Sequence, residues 1–194
     1  MNRDAMPDTL AEWLAYIERV HPQSIAMGLD RVGLVSRALR LDPRFPIITV
    51  GGTNGKGSAC MMLEAIYTAA GYTVGCYTSP HLLRYHERVR IAGREVDDAQ
   101  LIAAFAAVDA ARNRVPLTYF EFGTLAAVWL FVRARLDAAI LEVGLGGRLD
   151  AVNVFDADTA LITSIALDHM EYLGTTRNSI GFEKAGIFRS GRVA

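Results

Sequence analysis

Residues 47–58 read IITVGGTNGKGS, an apolar stretch that runs directly into a glycine-rich loop. The apolar and β-branched residues 47–50 predict a short buried strand, and residues 59–70, which follow the loop, predict a helix. Backbone N–H groups turned into such a loop bind phosphate groups, together with the positive end of the helix dipole. The stretch therefore predicts a phosphate-binding turn between a strand and a helix.

The loop is a variant of the P-loop pattern G-x-x-x-x-G-K-[ST]. Gly55 and Lys56 fit the end of the pattern, but position 50, where the first glycine would stand, is Val50. Lys56 is placed to reach the terminal phosphates of a nucleotide, and Ser58 stands where a P-loop hydroxyl approaches Mg²⁺. The alternative is an ordinary glycine turn with a solvated lysine, and the flanking strand and helix favour the phosphate site.

The composition is that of a globular protein. The chain has 194 residues, 52% of them hydrophobic and 21% charged, so it can bury one sizeable core, and a single domain is expected. A net charge of -1 argues against a nucleic-acid surface or a basic membrane anchor. The longest apolar runs, such as residues 122–132, are shorter than the ~20 residues of a bilayer span.

Two further observations bear on location. Residues 1–13 contain acidic residues and lack the apolar core of a secretory signal. Cys60 and Cys76 fall in a predicted helix and a predicted strand, where buried thiols are the simplest interpretation. We therefore expect a cytoplasmic protein that binds neither nucleic acid nor membranes.

Hydrophobic periodicity predicts alternating strands and helices, and residues 79–93 as a long loop. The predicted helices are one capped by Asp8 or Thr9 and ended by His21-Pro22, and others at 25–39, 59–70, 99–112, 118–135 and 178–185. The predicted strands are 47–50, 73–77, 137–143 and 158–165, and the start of another strand is predicted at 191–194. This order predicts an α/β fold with a mostly parallel sheet covered by helices on both faces. Residues 1–45 would form a helical entrance segment beside it.

Ligands of such sheets bind at the carboxyl ends of the strands. The polar residues at these ends, which should therefore converge, are residues 53–58, 79–81, Glu142, Asp168 and His169. Glu142 is either a magnesium ligand or a solvated strand-end residue, and position alone leaves both open. A lone histidine such as His169 is more often structural than a ligand. The glycines at 144, 146 and 147 have the wrong spacing for a dinucleotide fingerprint, which argues against NAD.

Six segments, in order along nearly the whole chain, resemble the dihydrofolate synthase/folylpolyglutamate synthase family of the Mur ligase superfamily. They are GTNGKGS at 52–58, SPHL at 79–82 with ERV at 87–89, TYFEFGT at 118–124, LEVGLGGRLDA at 141–151, SIALDH at 164–169 and EKAGIF at 183–188. The resemblance implies a P-loop fold like the central domain of Mur ligases.

The activity implied by this resemblance is ATP-dependent amide ligation in folate biosynthesis. A dihydropteroate or folate carboxylate would attack the γ-phosphate of ATP, and the amine of L-glutamate would then attack the acyl phosphate. The implied cofactors are ATP and two Mg²⁺ ions, the implied partners are these small molecules, and the intact enzyme would be a monomer.

The resemblance also implies site residues, sorted by role. The implied nucleotide-binding residues are Thr53, Asn54, Gly55, Lys56, Gly57 and Ser58; the metal ligands are Ser79, Glu142 and His169; and the catalytic residues are Lys56, Glu142, His169 and Lys184. The implied substrate-binding residues are Ile25, Ala26, Met27, Gly28, Thr118, Tyr119, Phe120, Glu121, Leu149, Asp150 and Ala151. Ser79 thus replaces Ser58 as the metal ligand, and Ser58 would bind phosphate. Lys184 matches a lysine that the family carbamylates, whereas the residues alone would place it on a solvated helix face.

The chain departs from the family pattern in sequence and in length. Val152 and Met170 stand where many relatives have threonine, and Glu171 where they have aspartate, which bears on substrate preference. Relatives carry a second domain with the glutamate site, so we expect an N-terminal fragment with little or no ligase turnover alone. Two other hypotheses remain open: a non-catalytic P-loop nucleotide-binding module, and a small-molecule kinase or ATPase.

Overall fold

The computed structural model describes residues 6–194. The α-helices of this range are α1 (Leu10–Ile17), α2 (Asp30–Ala38), α3 (Lys56–Ala69), α4 (Asp98–Arg112), α5 (Tyr119–Arg133), α6 (Met170–Leu173) and α7 (Arg177–Ala185). The strands are β1 (Ile47–Gly51), β2 (Val74–Tyr77), β3 (Val89–Ile91), β4 (Arg94–Glu95), β5 (Ala138–Glu142) and β6 (Thr159–Ile162). Short 3₁₀ helices span Tyr85–Arg88 and Ala151–Val154.

One six-stranded sheet with the order β4-β3-β2-β5-β1-β6 organises the fold. Strands β2, β5, β1 and β6 are parallel, and β3 and β4 add an antiparallel edge. Val50 lies opposite Glu142 in the β1–β5 register, so the glycine loop and this carboxylate leave the sheet at the same edge. The prediction of an α/β fold with a mostly parallel sheet is confirmed.

Both faces of the sheet are covered, and alternate strand residues enter two different cores. Ile48, Val50 and Ile140 pack with Cys60 of α3 in the smaller core. Ile47, Ala139 and Leu141 face the larger core, which α1, α2, α4 and α5 complete. This alternation is the period of two that side chains follow along a strand. The predicted buried thiols are confirmed, because Cys60 and Cys76 are both fully buried.

The first two helices pack into the larger core rather than standing apart from it. Trp13 and Ile17 of α1 are buried there, as are Val32 and Val35 of α2. Thr9 caps α1 through a capping box with Glu12, as the sequence predicts. The chain between α1 and α2 runs along a cavity that is described below.

Three predicted elements need correction. Residues 25–29 are not helical, because Gly28 has φ +132° and α2 begins only at Asp30. The predicted loop 79–93 contains a 3₁₀ helix and all of β3, and β4 follows directly. The segment is polar in sequence but folded in the structure, because Arg90 pairs with the buried Glu64 at 2.8 Å. The strand predicted at 191–194 is only an isolated bridge between Val193 and Thr159.

None of the helices between residues 6 and 194 has both the length and the apolar character that a bilayer crossing requires.

Candidate active site

The glycine loop is fixed by the chain that follows β6. Thr53 N–H donates to the Ser164 carbonyl at 2.8 Å, and Asn54 N–H donates to Ser164 Oγ at 3.0 Å. Gly52 has φ +142°, and a Cβ there would lie 2.0 Å from Thr163 Oγ1, so only glycine fits this approach. Gly55, with φ 84°, is the N-cap that precedes α3, and no side chain caps the first N–H groups of this helix. These N–H groups remain available for an anion.

Two lysines share one carbonyl of this loop. Lys56 Nζ donates to Gly52 O at 3.1 Å, and Lys184 Nζ of α7 donates to the same oxygen at 3.0 Å. Lys184 is only 5% exposed, which contradicts the solvated helix face that its sequence context alone predicts. Burial lowers the pKa of Lys184, and the nearby charge of Lys56 lowers it further. The loop therefore holds two cationic groups at the start of α3.

Glu142 ends β5 beside this loop. It is 3% exposed, and its Oε2 accepts a hydrogen bond from the Ser79 N–H at 2.9 Å. A Cβ on Gly57 would lie 3.8 Å from both carboxylate oxygens, so the start of α3 passes directly over Glu142. Burial raises the pKa of Glu142, while the Ser79 N–H and the charge of Lys56 oppose this shift. Its Oε1 accepts no hydrogen bond from the described residues, and so remains free for a cation.

Ser79 and His169 both line a cavity of about 570 Å³. His169 has φ 46°, precedes α6 and is about half exposed. Residues 6–194 contain no group of three or more His, Cys, Asp or Glu side chains placed to hold a metal ion. Among the described residues, Glu142, His169 and the Ser79 hydroxyl are thus oxygen and nitrogen groups near one another in the site that do not form such a cluster.

All eleven residues of the predicted substrate set also line this cavity. They come from the α1–α2 connection (Ile25, Ala26, Met27, Gly28), the start of α5 (Thr118, Tyr119, Phe120, Glu121) and the turn after β5 (Leu149, Asp150, Ala151). By contrast, residues 53–58, Glu142 and Lys184 do not line it. The Ser79–Glu142 hydrogen bond joins the two groups of residues.

Buried carboxylates fix the walls of the cavity. Glu121 accepts the Thr118 N–H at 2.8 Å and pairs with Arg31 at 3.0 Å, and Arg31 Nη2 donates to the Ala26 carbonyl at 2.6 Å. The α1–α2 connection is thereby tied to α5. Asp150 accepts the N–H groups of Leu145 and Val152 at 2.8 and 3.0 Å. Burial raises the pKa of Asp150 to about 7, against the effect of these hydrogen bonds.

One aromatic surface of the cavity is the ring of Phe120. The Phe120 ring packs against Gly144 so closely that a Cβ there would lie 2.7 Å from the ring. The fully buried Tyr77 supports the Phe120 ring at a tilt of 34°, with ring centroids 5.8 Å apart. Such a surface suits a planar heterocycle, because aromatic rings pack face to face or edge to face at these distances.

The cavity also contains residues that the sequence predictions omit. They are Glu18, His21, Gln23, Ser24, Pro80, Arg88, Gly144 and Leu145. Arg88 lies within the ERV segment at 87–89, so the motif could have marked it as a site residue. Pro80, Gly144 and Leu145 likewise lie within the SPHL and LEVGLGGRLDA segments, whereas Glu18, His21, Gln23 and Ser24 belong to the chain after α1, which no motif marks.

Comparison with known proteins places this geometry in a family. A family model described as the Mur ligase middle domain matches residues 50–192. The dihydrofolate synthase/folylpolyglutamate synthase of Escherichia coli K12 is 58% identical over 186 residues, which are 95% of the chain and 44% of that protein.

Solved structures give the same result. That of E. coli FolC in complex with DHPP and ADP has a TM-score of 0.94 and 56% identity, and the match covers 96% of the chain and 45% of that protein. A bifunctional folylpolyglutamate synthase/dihydrofolate synthase with Mn, AMPPNP and L-glutamate bound gives a TM-score of 0.90 and 55% identity, covering 96% and 46%. The chain thus spans less than half the length of these relatives. Since the family model covers most of its residues, the chain belongs to the Mur ligase middle domain family.

Proposed function

We propose that the chain is the nucleotide-binding and pterin-binding part of an ATP-dependent ligase. The ligase joins L-glutamate to dihydropteroate, to folyl-glutamates or to both. The observation that carries this proposal is the hydrogen bond from Ser79 to Glu142, which connects the cavity to the phosphate loop. An acid in the cavity and a nucleotide on the loop would meet there. The relatives named above, solved with DHPP, ADP, AMPPNP and glutamate, support this assignment.

The reaction has two steps that balance without another reagent. A carboxylate oxygen of the acid attacks the γ-phosphorus of ATP, the bond to the β-phosphate oxygen breaks, and ADP leaves. The amine nitrogen of glutamate then attacks the carbonyl carbon of the acyl phosphate, loses a proton and expels phosphate. Holding both reactants in line is the main contribution of the protein to such transfers.

The phosphate loop would bind the nucleotide through backbone N–H groups. Residues 53–58 would surround the phosphates, with Lys56 turning from Gly52 O toward the γ-phosphate and Ser58 donating to phosphate. Positive charge close to the transferred group stabilises the charge that spreads over its oxygens.

Ser79, Glu142 and His169 are proposed to hold divalent cations, two in the intact site. The free Oε1 of Glu142 and the Ser79 hydroxyl are oxygen donors, which suit a hard cation such as Mg²⁺. A bound cation supplies further positive charge against the phosphate oxygens.

Lys184 is proposed to carry a carbamate. Carbon dioxide adds to a neutral amine, forming an N–C bond and releasing one proton, and the lowered pKa of Lys184 favours that neutral form. The anionic carbamate would lie beside Lys56, and its oxygens could bind a cation.

We assign complete turnover to a longer protein like the relatives described above, of which this chain matches the first part. The glutamate site would lie in the part of that protein outside these residues. The test joins the chain to the C-terminal half of the E. coli relative and measures phosphate release from ATP. Release that requires both dihydropteroate and glutamate, and that Lys56→Ala abolishes, supports the ligase. Release with neither acceptor would show an ATPase, and nucleotide binding without release would show a binding module.

A further inference from the structure

We propose that Arg88 binds the carboxylate of the aromatic acid in the cavity. This assignment rests on the ligase function proposed above and identifies the residue that orients the acid for attack.

Arg88 lies at the end of the cavity near Ser79, where this role requires it. It ends the 3₁₀ helix before β3, and its carbonyl accepts the Thr78 N–H at 2.9 Å. Ser79, which bonds to Glu142, is the next residue along the chain from Thr78. Arg88 and Ser79 line the same cavity. An anion bound to Arg88 would therefore lie on the side of the cavity that leads to the phosphate loop.

The charge of Arg88 has no anionic partner. The residue is only 9% exposed, and no carboxylate among residues 6–194 lies within ion-pair distance of it. Its Nε donates to His81 Nδ1 at 2.7 Å, while its two Nη groups make no hydrogen bond to the described residues. A buried charge without a partner is costly, and a bound anion relieves that cost.

The surroundings hold the guanidinium still without neutralising it. Its central carbon lies 5.4 Å from the ring centroids of both Tyr85 and Tyr119. His81 accepts the Nε hydrogen bond at its Nδ1 atom and contributes no negative charge. The Nη groups are thus left to form the two parallel hydrogen bonds that a carboxylate accepts from an arginine.

Other charges in the cavity argue for the same orientation. Asp150 of the turn after β5 and Glu121 at the start of α5 accept backbone N–H groups, and Glu121 also pairs with Arg31, so neither offers a cationic contact to an acid. The planar part of the acid would then pack on Phe120. Arg88 is the cationic residue in the lining whose charge remains unpaired, so it selects which end of the acid faces the phosphate loop.

The test compares two ligands and three proteins by calorimetric titration. The ligands are dihydropteroate and its carboxamide, which has the same shape without the charge. The proteins are the wild-type chain, Arg88→Met and the matched control Arg84→Gln, which alters an exposed arginine of the same segment that pairs with Glu95. We expect Arg88→Met to weaken binding of the acid by about 30-fold or more and to leave carboxamide binding nearly unchanged. Arg84→Gln should affect neither.

The outcomes separate this inference from the function on which it rests. If Arg88→Met weakened the binding of both ligands equally, the arginine would only support the fold of the cavity. If acid binding were unchanged, Arg88 would not bind the carboxylate. If the wild-type chain bound neither ligand, the assignment of the cavity as a pterin site would be wrong. An Arg88→Lys variant guards against misfolding: it should bind the acid with intermediate affinity and unfold at the wild-type temperature.

Discussion

Lys56 and Lys184 donate hydrogen bonds to the same oxygen, the carbonyl of Gly52, at 3.1 and 3.0 Å. Lys56 belongs to α3 and Lys184 to α7, more than a hundred residues later in the chain. Their shared acceptor lies where Gly52 approaches the chain after β6. The position of both charges therefore depends on the conformation of a single glycine.

Gly52→Ala should destabilise the fold and abolish nucleotide binding. Its φ of +142° is unfavourable for alanine, and the new Cβ would lie 2.0 Å from Thr163 Oγ1, so we expect a loss of ~2 kcal/mol or more. Gly71→Ala is the control, because Gly71 has φ +89° but no atom within 4 Å of its Cβ position, and should cost ~1 kcal/mol. Chemical denaturation measures both, and equal losses would contradict the argument.

Lys184 should form a carbamate that responds to pH. With ¹³C-labelled bicarbonate, we expect a carbamate signal that increases as the pH rises through the lowered pKa of Lys184. Lys184→Met should abolish the signal. Lys56→Met should reduce it, because losing this neighbour raises the pKa of Lys184 and removes the cation beside the carbamate. A signal that survives in Lys184→Met would assign the chemistry to another amine.

Glu142→Gln should separate metal binding from stability. The substitution keeps the shape but removes the charge, so the gain in affinity for an ATP analogue on adding Mn²⁺ should fall about tenfold or more. Burial raises the pKa of Glu142, so without metal the uncharged variant should be as stable as the wild type at neutral pH, or more stable. Titration with and without EDTA measures the first effect. A Mn²⁺ dependence equal to that of the wild type would exclude Glu142 as a ligand.

Glu87 should make stability depend on acid pH. Its carboxylate accepts the N–H groups of Leu82, Leu83 and Arg84 at 2.7, 2.8 and 2.7 Å, and these bonds lower its pKa to about 2 from 4.5. Because the folded pKa is the lower one, this stabilisation is complete above pH 4.5 and is lost as the pH falls toward 2. Denaturation curves of wild type and Glu87→Gln should converge over this window. Curves that stay parallel would refute the prediction.

The Glu64–Arg90 pair should couple α3 to the segment that carries Ser79. Arg90 pairs with Glu64 at 2.8 Å and also donates to the Glu87 carbonyl at 2.8 Å. Arg90→Met should cost ~3 kcal/mol, because it leaves a buried carboxylate unpaired, and Glu64→Leu combined with Arg90→Met should cost less than the sum of the single changes. Arg44→Met, which breaks the exposed pair with Asp42, should cost less than ~1 kcal/mol. Additive costs in the Glu64–Arg90 cycle would show no coupling.

Much of the fold follows from local pattern. The strand at 47–50, the glycine turn and the alternation of strands with helices predict a parallel sheet, and Thr9, one of the two predicted caps, caps α1. Parallel strands put their carboxyl ends at one edge, so the grouping of Glu142 with the loop also follows from the pattern.

What local pattern misses depends on distant partners. Lys184 looks solvated beside Glu183, and it is buried only because α7 packs against the glycine loop. The segment 79–93, which contains Arg90, is predicted as a loop, yet Arg90 is buried against Glu64 of α3, a distant partner that local pattern does not indicate, and β3 is therefore missed. Arg88 carries no sign in the sequence that its charge is left unpaired.

The most direct test is one crystal structure of the chain with an ATP analogue, Mn²⁺ and dihydropteroate. The account predicts phosphates on residues 53–58, Mn²⁺ bound by Ser79 and Glu142, and the acid in the cavity with its carboxylate on Arg88. A nucleotide bound away from Lys56, or an acid bound outside the cavity, would contradict the claim that these residues form one site.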